Sequence, residues 1–421
     1  MESADLILAA REERDALATQ LAKRNVVVSV HANVPGQDKN LAEAYLLVRH
    51  FSLLTQLDVC DKILKIGGMD GFAVLLAFSD VSAQFLKAKT VEIEQDHPLG
   101  RFVDIDVFPK GGANSLTRGH MRKCFLCDNP AFVCRRLGSH STESLVSALV
   151  KETDDFFTRQ LVQAVKDALT AELDLENKFG LVSPTSSGSH DDMDYETMKL
   201  SQEAIAPYLA QMFFEGARSQ NAHDVLAKLR PPGVCAERAM LEANGDVNAY
   251  KGFVFVGGVV LSAAGYLATH EGQFVSAQDC VRAICKDVMA EFDGKVDSFG
   301  KVAYAKYRFG GVRKHASEGF ETVFAAEKLL SDDFSQTDML QTLTYIVGKV
   351  DDSVLLKRCG SMEKYLDFKK RISEVDVGDA QALAALNAEC VQNRVSIGGS
   401  ADVLAAAVLV KKLKKLLLIQ F

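Results

Sequence analysis

Two aspartates, Asp104 and Asp106, alternate with valine and isoleucine over residues 103–107. This period of two is typical of a half-buried strand, in which successive side chains point to opposite faces of a sheet. The two carboxylates would then share one face, roughly 7 Å apart at about 3.3 Å of rise per residue. Such a pair can hold Mg²⁺ ions that neutralise a polyphosphate, although a strand with a solvated acidic face would show the same pattern.

A cysteine cluster lies just beyond the acidic pair. Cys124, Cys127, Cys134 and His140 supply three thiols and one imidazole, the ligand inventory of a structural zinc site. A zinc ion would close two short loops there and make the segment after the acidic strand rigid. Cysteines packed as small apolar side chains are the alternative.

Short polar islands interrupt the second half of the chain, which is otherwise rich in helix-forming residues. They are, in order, Gly180-Leu-Val182; Gly188-Ser-His190-Asp-Asp192; Arg230-Pro-x-Gly233-x3-Glu237; Asn248-x-x-Lys251-Gly252; Arg313; Asp351-Asp352; and Gly398-Gly399-Ser400-Ala-Asp402. Lys251 and the Gly398-Gly399 pair stand at predicted helix starts, where backbone amides and the helix dipole favour phosphate. Ser400 is equally suited to cap a helix.

The elements that must position these residues follow from local periodicity. The N-terminal third predicts helices over 4–24 and 38–58 and strands over 26–34, 72–78, 89–94 and 101–108. This mixture suggests a compact α+β domain over residues 1–150 that resembles nucleotidyltransferases. Helical periodicity then continues through 142–175 without a flexible linker, and residues 151–421 predict a large all-α domain.

Composition narrows the class of protein. The 421 residues are 48% hydrophobic and 25% charged, with a net charge of −8, which argues against a general nucleic-acid binder. Nine cysteines and a charged N-terminus predict reduced thiols in the cytoplasm. The uncharged run 252–268 is short for a membrane span, so we expect a buried core helix rather than a membrane partner.

The sequence His97-Pro-Leu-Gly-Arg101, with the acidic pair and the cysteine cluster after it, resembles holo-citrate-lyase synthase. Arg11 and Arg14 stand in a segment that is similar to the opening of the same family. The resemblance implies transfer of a phosphoribosyl-dephospho-CoA group to a serine of the citrate lyase acyl carrier protein (gamma) subunit. It also implies that Asp104 and Asp106 place Mg²⁺ on the α-phosphate. The implied contacts to the departing pyrophosphate are Arg101, Arg118, Arg122 and Arg136.

The order and spacing of the later islands resemble triphosphoribosyl-dephospho-CoA synthase, which makes the donor that the first domain would consume. The implied reaction is attack of the 2′-hydroxyl of 3′-dephospho-CoA on the ribose of ATP, with release of adenine. The acid–base or Mg²⁺ candidates are His190, Asp192, Glu237 and Asp352. The implied phosphate or nucleotide contacts are Asn248, Lys251, Arg313, Gly398, Gly399 and Ser400.

The chain departs from the synthase pattern at four positions. Phe179 stands where the pattern usually has a proline, Tyr250 where it has a histidine, His315 where it has a glutamate, and Val354 where it has an asparagine. The last three flank the islands, so we expect them to retune a pocket without removing its charges. Two other interpretations compete with the leading one. The first is the equivalent assembly enzyme for malonate decarboxylase, and the second is a zinc-stabilised interaction module.

Overall fold

The computed structural model describes residues 3–57, 59–112, 114–119, 121–293 and 299–419. The chain forms two compact units. The first contains residues 3–157 together with Lys415–Ile419, and the second contains Thr158–Lys414. The division between them falls inside one long helix, Thr142–Leu173.

The first unit is an α+β structure, as predicted. Its helices are α1 (Ser3–Ala22), α2 (Ala42–Thr55), α3 (Ala83–Asp96), α4 (Ala131–Leu137) and the first half of α5 (Thr142–Leu173). Its strands are β1 (Val26–Ala32), β2 (Lys62–Ile66), β3 (Ala73–Phe78) and β4 (Val103–Phe108). The four strands form one antiparallel sheet in the order β2-β3-β1-β4, so β4 lies at an edge.

One face of this sheet changes character along its length. At one end α1 packs Ala18 and Ala22 against Val27, Leu75 and Phe108. On β1 and β4 the same face then becomes polar, with Ser29 and His31 on β1 beside Asp106 and Asp104 on β4, because alternate residues of a strand share a face. The sheet therefore offers an apolar end that holds α1 and a polar end that is available for chemistry.

Two predictions for this unit were wrong. Residues 89–94 are part of helix α3 and not a strand. Ser82 caps that helix by accepting from Phe85 N, and Leu86, Lys87 and Thr90 are buried at helical spacing. Strand β2 is not evident from the sequence because its pattern is a weak signal. Its two isoleucines and one leucine are only partly buried, and they are interrupted by lysines.

The second unit is all-helical in its regular structure over the described residues, as predicted. Its longer helices are α6 (Tyr195–Ala217), α7 (Ala222–Asn244), α8 (Lys251–Thr269), α13 (Gln336–Lys349), α15 (Met362–Glu374), α16 (Ala380–Gln392) and α17 (Gly398–Lys414). Its short helices are α9 (Ala277–Ile284), α10 (Phe299–Tyr307), α11 (Gly311–Ser317), α12 (Glu321–Glu327) and α14 (Ser353–Cys359). Two 3₁₀ turns, Gly100–Phe102 in the first unit and Val288–Phe292 in the second, complete the regular structure.

Helix α8 is the apolar centre of the second unit. It packs against α6, α7 and α17. Among the described residues it alone is long and apolar enough to cross a membrane, and 78% of its apolar window is buried inside the protein. That burial matches the expected core helix.

Candidate active sites

The acidic pair lies on the polar end of the sheet face. Strand β4 pairs with β1 so that Asp104 is opposite His31 and Asp106 is opposite Ser29. The three apolar residues between and beside the aspartates are fully buried on the other face, whereas the Asp104 side chain is 31% exposed. The alternation predicted from the sequence is therefore present, and both carboxylates share one face.

Two predicted arginines and one unpredicted glutamate surround Asp104. Arg118 Nη2 lies 2.9 Å from Asp104 Oδ1 and 2.8 Å from Glu94 Oε1. Arg122 Nη2 pairs with the same two oxygens, at 3.2 Å from Glu94 Oε1. Two guanidinium groups are thus shared between two carboxylates, and guanidinium groups can also bind phosphate oxygens in a bidentate manner.

Glu94 was missed because residues 89–94 were interpreted as a strand. In the helix, Glu94 Oε1 accepts from Ile105 N at 3.1 Å, and Lys87 Nζ donates to Ile105 O at 3.3 Å. Helix α3 therefore satisfies the free edge of β4 at Ile105. Burial raises the pKa of Glu94 to about 7, and the nearby Arg118 only partly offsets this effect.

His31 and Asp70 extend the polar surface around Asp104 towards α1. His31 Nε2 lies 3.6 Å from Asp104 Oδ2, and burial followed by the charge of Arg14 lowers the pKa of His31 to about 4. Arg11 Nη2 and Arg14 Nη1 lie 2.9 Å and 2.5 Å from the two oxygens of Asp70. The two arginines of α1 therefore hold Asp70 beside the acidic pair.

The motif before β4 shapes the site without entering it. A Cβ on Gly100 would lie 2.1 Å from Glu94 O, so only glycine allows the chain to pass this close to α3. Arg101 Nη1 donates to Cys124 O at 3.2 Å and to Phe125 O at 3.1 Å. Its guanidinium therefore binds the loop that carries the first cysteines.

The four residues of the cysteine cluster converge. Their ligand atoms all lie within 4.8 Å of one another. Cys127 Sγ is 3.5 Å from Cys134 Sγ and 3.5 Å from His140 Nε2, close to the roughly 3.8 Å between sulfurs of a tetrahedral zinc site. Burial raises the pKa of Cys124, but hydrogen bonds from the Leu126 and Cys127 backbone outweigh it and lower the pKa overall. Arg136, on α4 beside the cluster, is exposed.

The second unit contains a cavity of about 230 Å³ that is partly open to solvent. Five of the predicted site residues line it, namely His190, Asn248, Lys251, Gly398 and Gly399. Three acidic residues that the sequence analysis did not assign to the site also line it, namely Glu172, Asp351 and Asp402. Five of the seven islands, although far apart in sequence, thus meet at this cavity, whereas the Arg230–Glu237 island and Arg313 do not line it.

Asp352 lies beneath this cavity and not in its wall. Its Oδ1 accepts from Val354 N and Leu355 N at the start of α14, and its Oδ2 accepts from Ser400 N at 2.7 Å and Ser400 Oγ at 2.9 Å. Burial raises the pKa of Asp352 despite these bonds. Asp352 therefore fastens the start of α14 to the start of α17, and the Ser400 amide is already in use.

Asp402, on α17, contacts the start of α8 through its carboxyl group. A Cβ on Gly252 would lie 2.0 Å from Asp402 Oδ2, so glycine is required for this approach. Burial raises the pKa of Asp402, the charges of Asp352 and Glu172 add to that effect, and a hydrogen bond from the Phe253 backbone opposes it. Helix α8 thus begins at the cavity with Asp402 against its first turn, and Lys251 lines the cavity beside it.

His190 is held as a neutral imidazole. Arg358 Nη2 lies 3.1 Å from His190 Nδ1, and because arginine only donates, this nitrogen must accept. His190 Nε2 then donates to Ser396 Oγ at 3.2 Å. Burial and the Arg358 charge lower the pKa of His190. Asp192 is 64% exposed and does not line the cavity, and nothing in the sequence singled out Arg358.

Two ion-pair groups extend over α7, α8 and α11. Lys251 Nζ lies 2.7 Å from Glu237 Oε2. Arg313 Nε and Arg230 Nη2 meet the two oxygens of Glu291 at 2.5 Å and 2.9 Å. All five side chains are partly or largely exposed, so these two groups place charged atoms at the solvent boundary.

Three of the four departures line the cavity. Tyr250 Oη accepts from Gln202 Nε2 at 2.9 Å, and His315 Nε2 accepts from Asp351 N at 3.0 Å. Val354 is the third. Phe179 has φ 58°, a value that a proline ring does not allow.

Comparison with known proteins accounts for both units. Residues 158–420 match the family described as ATP:dephospho-CoA triphosphoribosyl transferase, and residues 3–156 match the family described as apo-citrate lyase phosphoribosyl-dephospho-CoA transferase. Protein CitXG of Haemophilus influenzae is 28% identical over 96% of this chain and 95% of its own length. Protein CitXG of Leuconostoc mesenteroides is 27% identical over 92% and 91%. A 2-(5″-triphosphoribosyl)-3′-dephosphocoenzyme-A synthase of Pectobacterium atrosepticum is 34% identical over 58% and 85%.

The chain is thus a transferase that handles phosphate-bearing groups. The chain belongs to the ATP:dephospho-CoA triphosphoribosyl transferase family, in a form fused to an apo-citrate lyase phosphoribosyl-dephospho-CoA transferase. Its larger part makes triphosphoribosyl-dephospho-CoA, and its N-terminal part transfers the phosphoribosyl-dephospho-CoA group to apo-citrate lyase. The comparisons favour neither the malonate decarboxylase counterpart nor an interaction module.

Proposed function

We propose that transfer to apo-citrate lyase takes place at the polar end of the four-stranded sheet, around Asp104. The attacking group would be a serine hydroxyl of the acyl carrier protein (gamma) subunit, and pyrophosphate would leave. The sharing of Arg118 and Arg122 between Asp104 and Glu94 carries this proposal. Such a cluster can release its guanidinium groups to an incoming triphosphate while the carboxylates remain to hold a cation.

Asp104 and Asp106 fit a divalent cation. Burial and the neighbouring charge of Asp104 raise the pKa of Asp106, so the two carboxylates oppose each other unless a cation lies near them. These two residues would hold Mg²⁺, which when bound supplies positive charge to the phosphate oxygens. Paired carboxylates on an edge strand are also the basis on which we assign a nucleotidyltransferase-like character to the first domain, residues 1–150.

The cysteine cluster fits a structural zinc ion by ligand type and distance. Zinc would hold Cys124, Cys127, Cys134 and His140, and so fix the loop that follows Arg122. We assign it no chemical step, because three thiolates and an imidazole leave no open coordination position.

The second domain, residues 151–421, uses ATP and 3′-dephospho-CoA, and adenine leaves. We place the reacting groups at the cavity that His190, Lys251 and Gly398-Gly399 line. Lys251 would give up its ion pair with Glu237 and bind the triphosphate instead. Arg313 and its neighbour Arg230 would bind further phosphate oxygens on the solvent side. His190, Asp192, Glu237 and Asp352 stay proposed acid–base or Mg²⁺ groups. Of these four His190 lines the cavity, and Asp402 joins it there as a carboxyl. We further propose that the enzyme works in the cytoplasm.

The transferase assignment is tested by Asp104→Asn. We expect at least a hundredfold loss of carrier charging from ready-made donor, because an amide holds neither Mg²⁺ nor the two arginines. Adenine release from ATP and dephospho-CoA should stay within twofold. Asp80→Asn, at an exposed aspartate of the same unit, is the matched control. Equal loss of both activities in folded protein would refute separate sites.

The synthase assignment is tested by Lys251→Met, which keeps the length of the side chain and removes its charge. We expect the KM for ATP to rise by about tenfold, the effect of losing one charge-assisted contact of about 1.4 kcal/mol. Lys370→Met, on the exposed side of α15, should leave the KM unchanged. An unaltered KM for Lys251→Met would remove Lys251 from the triphosphate site.

A further inference from the structure

The C-terminal segment is part of the first unit although it follows the helices of the second. Helix α17 ends at Lys414, and Lys415–Ile419 belong to the compact unit formed by residues 3–157. Leu417 is fully buried, and Leu416 and Ile419 are each 9% exposed. Residues 415–419 thus complete the fold of the transferase unit.

Arg49 binds this segment by its backbone. Its guanidinium Nη1 donates to Leu418 O at 2.6 Å, and its Cζ lies 5.0 Å from the centre of the Phe72 ring. The side chain is 1% exposed, so α2 commits a buried charge to the segment. A buried cation is costly unless its donors are satisfied, and a backbone carbonyl at this position supplies an acceptor.

Two histidines continue the connection from the segment towards the active site. Leu99 N donates to His97 Nδ1 at 3.1 Å, His97 Nε2 lies 3.3 Å from His50 Nε2, and His50 Nδ1 lies 2.9 Å from Leu416 O. Because an amide only donates and a carbonyl only accepts, both rings are neutral and the protons run in one direction. His97 Nε2–H donates to His50 Nε2, and His50 Nδ1–H donates to Leu416 O.

This directed chain ends where the transferase site begins. His97 follows the last residue of α3, and Gly100 packs directly against the backbone of Glu94. Glu94 in turn shares Arg118 and Arg122 with Asp104. Phe51 and Phe156 flank both histidine rings.

We propose that residues 415–419 are a working part of the transferase unit and that His50 and His97 are positioning residues for its active site. The backbone carbonyl of Leu416 orients the His50 ring by a hydrogen bond, and His50 orients His97 in the same way. His97 in turn fixes the turn after α3 that places Glu94 beside Asp104. Carrier charging therefore depends on the last residues of the chain, whereas donor synthesis does not.

The test removes the segment from the full chain by a stop after Lys414. A stop after Ile419 is the matched control, because it keeps both acceptor carbonyls. Carrier charging from ready-made donor should fall at least tenfold in kcat in the first protein, with the KM for the carrier protein nearly unchanged and adenine release within twofold. A synthetic peptide of residues 415–421 should restore charging to the truncated protein. The control should match the full chain.

A second variant guards against a general folding defect. His50→Phe fills the same ring space but breaks the hydrogen bonds on both sides, so it should lower kcat for charging and leave adenine release intact. Full charging by the truncated protein and by His50→Phe would overturn the proposal. Loss of adenine release by the same factor as charging would also overturn it.

Discussion

At the scale of single residues, the transferase site is a balance of shared charges. Glu94 is buried, carries a pKa raised to about 7, and still contacts Arg118 and Arg122. Desolvation outweighs the attraction of the arginines, so the carboxyl changes its charge near neutral pH. An ionised Glu94 holds the two guanidinium groups more strongly than a protonated one.

We therefore expect carrier charging to rise with pH across about 7 as Glu94 loses its proton. Glu94→Gln, which stays neutral at every pH, should show no inflection there and should charge the carrier about tenfold more slowly at pH 8. The measurement is the pH profile of kcat with ready-made donor. Glu92→Gln, at an exposed position of the same helix, should keep the normal profile. An unchanged inflection in Glu94→Gln would show that another group titrates.

At the scale of elements, several polar residues act by fastening one element to another. Lys87 and Glu94 join α3 to the edge of β4, and Asp352 joins α14 to α17. Arg101 does the same for the cysteine loop. Such contacts place catalytic side chains by fixing the backbone on which they stand.

The cysteine loop gives a prediction of its own. If the cluster binds zinc, purified protein should contain about one equivalent per chain, and Cys134→Ser should lose most of it. The melting temperature of the first unit should then fall by several degrees, because metal binding stabilises the folded state. Cys60→Ser, outside the cluster, is the control. Metal analysis that finds no zinc in active protein purified without chelator would reduce the cluster to packing.

At the scale of the whole molecule, the buried histidines of the first unit make its stability depend on pH. Burial lowers the pKa of His31 and of His97 from 6.5 to about 4. Below pH 6.5 the unfolded chain binds these protons first, so the free energy of unfolding falls as the pH drops towards 4. The raised pKa values of Glu94, from 4.5 to about 7, and of Asp106 have the opposite effect in their own range. Burial lowers the pKa of His50 as well, so two carboxyls oppose three imidazoles.

We predict a net loss of stability in the first unit on acidification from pH 6.5 to 4. Hydrogen exchange of the β1 and β4 amides, corrected for the intrinsic effect of pH, would measure it. His97→Asn, which removes one of the titrating rings while offering an acceptor to the Leu99 amide, should give a shallower dependence. Amide protection that does not change between pH 6.5 and 4 would contradict the assignment of His31 and His97 as neutral rings.

The sequence by itself determined the local features. Alternation at 103–107 placed both aspartates on one face, and three cysteines and one histidine at short spacing predicted the cysteine cluster. Helical periodicity identified the all-α second unit and its core helix. Such features are readable because neighbours along a strand or helix meet by the geometry of the element alone.

Tertiary structure decided which distant charges meet. Glu94 reached the site only because 89–94 is helical, a choice made by burial against β4 and not by local alternation. Asp402 met Gly252, and Leu416 met His50, across 150 and 366 residues of chain. No local pattern encodes these contacts, because they depend on how whole elements pack, and packing is settled by the combined burial of many side chains.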